Sequence, residues 1–187
     1  MSHAKRSAAL AIGSALLVAD VGLAFYARSV AEPEHSAASG GTLPAKFHQV
    51  SPGLFRSAQP TPDGLAMAQK QGVRTVVVLR KDVEADERAA AARLGLALVE
   101  VPMGGGRLPT LEEVDRAMDV IVDPSRQPVL VHCSHGRDRT GAVIAAYRVV
   151  VDGWDPARAS AEANSLGFSY GDLKPFLVRY RNHRLHP

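Results

Sequence analysis

The ten residues from His132 to Gly141, HCSHGRDRTG, place the single cysteine of the chain six positions before an arginine, with a threonine and a glycine directly after. That spacing suits attack on phosphorus. Cys133 is a strong nucleophile as a thiolate, which a helix N-terminus and nearby cations favour by lowering the thiol pKa. Arg139 presents a planar fork of donors that holds two equatorial phosphate oxygens, more firmly as charge spreads in the transition state. Gly136 allows backbone angles that a Cβ hinders in a tight loop, and Thr140 can hold a hydroxyl near the sulfur when the thiolate leaves a phosphoenzyme. Across Ser134, His135, Gly136, Arg137, Asp138 and Arg139, successive backbone N–H groups would form an anion-binding nest. Two other uses of the cysteine compete with this one. A lone thiol is often a small core hydrophobe, and His132, Cys133 and His135 lie close enough in sequence to suggest zinc. No second Cys/His cluster at ligand spacing follows, so no metal and no cofactor are expected.

The elements around the loop follow from pattern. Pro128–Val131 (PVLV) is a short apolar run expected as a buried strand, and Thr140–Val151, rich in alanine and valine, as a core helix. Upstream, the order is a strand near Leu54, helix 63–71, strand 73–79, helix 83–94, strand 97–101 and helix 111–121; helices follow the loop to the end. Thr61-Pro62 and Asp155-Pro156 are N-caps followed by first-turn prolines, and Thr110 with Glu113 forms a capping box. Alternating strands and helices predict an α/β fold, a mostly parallel central sheet flanked by helices.

The pattern H-C, five residues, R-T, complete at His132, Cys133, Gly136, Arg139 and Thr140, resembles the signature of the cysteine-dependent tyrosine and dual-specificity phosphatases. The DRTG ending resembles bacterial tyrosine phosphatases and phosphoinositide-type members. Phe47–Pro60, FHQVSPGLFRSAQP, resembles the opening of small bacterial dual-specificity domains, and the likeness runs from about Phe47 to Tyr180. It implies a dual-specificity-phosphatase-like fold and a phosphocysteine mechanism on Cys133, with His132 in support.

The resemblance also implies a general-acid aspartate in a separate loop, yet Val101–Thr110, VPMGGGRLPT, holds no carboxylate. Asp138 stands where some phosphoinositide phosphatases have been assigned an acid. Asp82, just after the strand ending near Arg80, is the alternative, with an N-cap for helix 83–94 as its plain structural use. Alkyl leaving groups need an acid more than phenols do, so phosphotyrosine-like substrates are favoured. His135 and Arg137 would line the rim of the nest, where positive charge suits phosphoinositides or inositol phosphates, or simply faces solvent. Arg107, in the GGGR segment, is placed to close on substrate.

Composition fits one catalytic domain. The formal net charge is +3, with 18 Lys+Arg against 16 Asp+Glu from Phe47 onward and 4 against 3 before it. Without a basic block or an aromatic ladder, no nucleic-acid partner is expected, and Arg179, Arg181 and Arg184 read as a solvated helix end. The chain divides into 1–31, a linker over 32–46 and a catalytic domain over 47–187. Ala8–Ala27 is mostly apolar and long enough to cross a bilayer as an N-terminal hydrophobic helix, interrupted by Asp20. Lys5 and Arg6 before it favour a cytoplasmic N-terminus, hence a single-pass inner or plasma membrane protein with an extracytoplasmic catalytic domain. A signal peptide cleaved near Ser29-Val30-Ala31, giving a periplasmic or secreted protein, is the alternative.

The resulting expectation is a phosphatase for phosphate monoesters, first of all protein phosphotyrosine. A phosphoinositide or inositol-phosphate phosphatase is the alternative, and a membrane-tethered module that binds phospholigands without catalysis is another. A sulfurtransferase would keep the nucleophile, but its loop does not usually end in R-T-G.

Overall fold

Short runs of β-branched and apolar residues build one sheet in the computed structural model, which describes residues 41–185. The expectations for 1–31, and most of the linker, fall outside those residues. In chain order the elements are β1 (His48–Ser51), β2 (Leu54–Ser57), α1 (Pro62–Lys70), β3 (Thr75–Val78), α2 (Ala85–Arg93), β4 (Ala97–Glu100), α3 (Leu111–Ile121), β5 (Val129–His132), α4 (Asp138–Val150), α5 (Pro156–Ser165) and α6 (Leu173–Leu185). The sheet order is β1-β2-β5-β3-β4. All neighbours are parallel except β1 and β2, which form an antiparallel pair at one edge.

Strand period explains how both faces are covered. Leu54, Val77, Val129 and Val131 join a core with residues of α3, α4, α5 and α6. The alternate residues Phe55, Val76, Val78 and Leu130 join a second core with Leu65 and Ala68 of α1 and Ala90 and Ala91 of α2. Strands buried on both faces read as continuous apolar runs, which is why TVVV and VLVH carry no polar alternation.

The expected caps form. Thr61 Oγ1 accepts from Gly64 N at 3.1 Å, and Asp155 Oδ1 from Ala157 N at 2.7 Å. Thr110 and Glu113 close the capping box in both directions, at 3.1 and 2.7 Å. Three expectations fare differently. Asp82 does not cap α2, whose N-cap is Glu84 without a side-chain bond. Arg184 is no solvated helix end, because it bonds Asp115 and Asp119 of α3. Arg107 is held by Glu113, its two terminal nitrogens 2.9 and 2.8 Å from the carboxylate, and so pins the glycine segment to α3.

Register sets the stage for the chemistry. Ser57 of β2 and Val78 of β3 both pair with His132 at the end of β5. Three parallel strands therefore finish level at one edge, with the central one running into the loop that begins at Cys133. Among the described residues no helix is long and apolar enough to cross a membrane.

Candidate active site

Five residues, 133–137, separate β5 from α4, and they wrap the sulfur. Cys133 is 3% exposed. Burial pushes its thiol pKa up, but the Thr140 hydroxyl and backbone N–H, the Arg139 guanidinium and the Gly136 N–H outweigh it. The thiol thus lies below its ordinary value. Thr140 is fully buried and its Oγ1 has no nitrogen or oxygen partner, which leaves the hydroxyl for the sulfur.

The loop is braced from outside by the end of β2 and the residues that follow it. Gly136 has φ +63°, and a Cβ there would sit 2.5 Å from Ser57 O and 2.6 Å from Ala58 N. Gln59 N donates to Ser134 O at 3.1 Å, and Arg56 Nη2 to Gly136 O at 2.7 Å. Gly136→Ala combines left-handed strain with a backbone clash. It should lower Tm by at least about 5 °C and remove activity, measured by thermal melt and phosphate release.

Arg139 donates from Nη2 to Ser134 Oγ at 3.2 Å and from Nη1 to Leu79 O at 3.3 Å. Both partners are neutral, so its charge stays available to an anion in the nest. His132 is fully buried; its Nδ1 is 3.3 Å from Cys133 O and its Nε2 2.7 Å from Glu87 Oε1. Glu87 Oε2 in turn meets Gln59 Nε2 at 3.5 Å. The imidazole is thereby packed between α2 and the loop, with Glu87 facing one ring nitrogen and the Cys133 carbonyl the other.

Residues 34–175 match the family model described as "DSP-PTPase phosphatase fused to NAD+ Kinase". The chain belongs to this family of dual-specificity-type phosphatase domains. It is 34% identical over 148 residues to the dual specificity protein phosphatase TpbA of Pseudomonas aeruginosa (strain UCBPP-PA14), covering 79% of this chain and 66% of TpbA. It is 32% identical over 123 residues to the inositol diphosphatase DSP2 of Oryza sativa subsp. japonica, covering 63% of this chain and 60% of that protein. A crystal structure of a Cys-to-Ser variant of P. aeruginosa TpbA in complex with pTyr superposes with a TM-score of 0.63 at 29% identity, over 76% of this chain and 91% of that one. This chain thus spans about two thirds of TpbA and less of the rice protein.

Within this phosphatase domain the remaining expected residues scatter. Asp138 is buried as the first residue of α4, its Oδ1 accepting from Ser169 N at 2.6 Å and Ser169 Oγ at 2.9 Å. Asp138 Oδ2 lies 4.0 Å from Arg137 Nε. Asp82 is exposed beyond the end of β3. His135 is exposed and Arg137 half-buried. Arg56, Gln59, Glu87 and Ser169 were not singled out from sequence. Only the RSAQ stretch within Phe47–Pro60 carried any signal, and there through resemblance alone.

Proposed function

We propose that this domain hydrolyses phosphate monoesters through a phosphocysteine on Cys133, with protein phosphotyrosine as its first substrate class. The observation that carries this reading is the convergence of Thr140, Gly136 and Arg139 on one lowered thiol. Cys133 Sγ attacks phosphorus as the ester C–O–P bond breaks on the oxygen side of phosphorus. The leaving oxygen takes a proton, and water then displaces sulfur, releasing phosphate and the thiolate. Arg139 and the loop N–H groups hold the equatorial oxygens throughout. His132 supports the loop through the Cys133 carbonyl. Ser134, His135, Gly136, Arg137 and Asp138 complete the nest.

Asp138 is the proposed source of the proton, through Oδ2, since Ser169 occupies Oδ1. Asp138→Asn keeps an oxygen for the Ser169 donors and removes the acid. It should slow an alkyl phosphate by about 10²-fold and an aryl phosphate much less. Equal losses on the two leaving groups would move the acid elsewhere, with Asp82 next to test.

The likeness to TpbA, crystallised as a variant with pTyr, and a weak acid both favour the phenolic ester. A second reading, an inositol phosphate or phosphoinositide as substrate, is supported by the rim. Arg137 Cδ and Lys46 Nζ would lie 3.0 and 3.6 Å from a Cβ on Gly167, so two cationic side chains, one of them from the loop itself, meet beside Gly167; the likeness to the rice inositol diphosphatase agrees. Ala8–Ala27, preceded by Lys5 and Arg6, supports membrane anchoring or export with the domain outside the cytoplasm.

The test is phosphate release by the full chain, with chelator present, from a phosphotyrosine peptide, a phosphoserine peptide and inositol phosphates. Preference for phosphotyrosine is expected. Preference for an inositol phosphate would establish the second reading. Binding without release across the panel would overturn catalysis in favour of a phospholigand module.

A further inference from the structure

A cavity of about 260 Å³ lies on the face of the sheet covered by α4 and α5, with His48, Gln49, Arg56, Arg148, Glu162 and Ser165 in its lining. Its two arginines differ. Arg148 is fully occupied: Nε and Nη2 bond both oxygens of Glu162 at 3.1 and 2.9 Å, and Nη1 bonds Val50 O and Asp152. Arg56 is 2% exposed and makes one side-chain hydrogen bond, from Nη2 to Gly136 O. Its Nε and Nη1 have no partner, and no carboxylate of the described residues lies within 4.0 Å of it.

A guanidinium carries five N–H donors. A buried cation with most of them unused is costly, and burial pushes the Arg56 pKa down while the fields of Glu162 and Cys133 hold it up. Because Arg148 is shared between Glu162 and Asp152, Arg56 is set apart in the lining by its unused buried donors rather than by a net charge. His48, Gln49 and Ser165 are exposed, so a solute reaches the cavity from solvent.

We propose that this cavity is a second anion-binding site, taking a small oxyanion, a free phosphate or a carboxylate, beside Arg56. The site is separate from the nest at Arg139 and does not depend on the chemistry assigned to Cys133.

The test is equilibrium dialysis of the full chain against inorganic phosphate, with hydrolysis of an aryl phosphate followed in parallel. Wild type should bind two phosphates per chain. Ser165→Glu and Gln49→Glu each add a carboxylate to the lining. Each should weaken the second phosphate by at least about tenfold while hydrolysis stays within about twofold. Competition by acetate for the second site only would assign it to carboxylates; its absence would assign it to phosphate. One phosphate per wild-type chain, lost on Arg139→Ala, would overturn the proposal, as would two phosphates retained in both carboxylate variants. Two phosphates bound with no hydrolysis would reject the catalytic reading and leave this site standing.

Discussion

Cys133→Ser should reduce turnover by at least about four orders of magnitude while the domain stays folded and still binds phosphate. Serine is close in size to cysteine, so a residue only 3% exposed is replaced without a cavity or an overpack. The groups that lower the thiol remain, but a hydroxyl is far harder to ionise than a thiol, and the nucleophile is lost. Phosphate release and near-native melting, measured on one preparation, check both halves. Turnover by pure variant protein would reject Cys133 as nucleophile. The lowered thiol also fixes a pH dependence. Alkylation of Cys133 should reach its plateau at lower pH than an ordinary thiol, and Thr140→Ala should move that midpoint up, because the hydroxyl is the leading cause of the lowering. A group whose pKa is depressed on folding stabilises the fold above its unfolded pKa, and this is lost as pH falls through the folded value. The stability gap between wild type and Cys133→Ser should therefore widen toward alkaline pH.

Arg139→Lys should cost about 10²–10³-fold in kcat/KM, chiefly in kcat. The guanidinium reaches Leu79 O and Ser134 Oγ from two nitrogens, so its plane is fixed across the end of the nest. An ammonium has neither the fork nor the span to keep both contacts and still meet two phosphate oxygens. What is lost is the bidentate grip on charge that grows in the transition state, so KM should move less than kcat. Near-full activity of the lysine variant would reject the clamp.

The signature loop and the elements beside it were legible because their signals are local: an apolar strand, five loop residues, an alanine-rich helix, and caps at Thr61, Thr110 and Asp155. β1 was missed because HQVS has neither alternation nor an apolar run; it exists through pairing with β2. Arg56 and Glu87 were missed for a related reason. Each is a charged residue whose partner, Gly136 O or His132, is brought near only by the sheet and its covering helix. Arg107 looked free in a glycine-rich segment, although Glu113 was already visible as half of a capping box and became its partner. Side chains that serve distant neighbours leave no period in the sequence.

The brace on Gly136 makes the cysteine a gauge of completed folding. Arg56 and the carbonyl it holds are 80 residues apart in the chain. A newly made or partly folded polypeptide holding β5 and α4, without β2 seated alongside, would lack that brace, and with it the firm placement of the Gly136 N–H, one of the groups that lower the thiol. The sulfur is fully tuned only when the early and late halves of the domain have met, and a chain short of that point is less open to the oxidation and stray alkylation that a low-pKa cysteine invites.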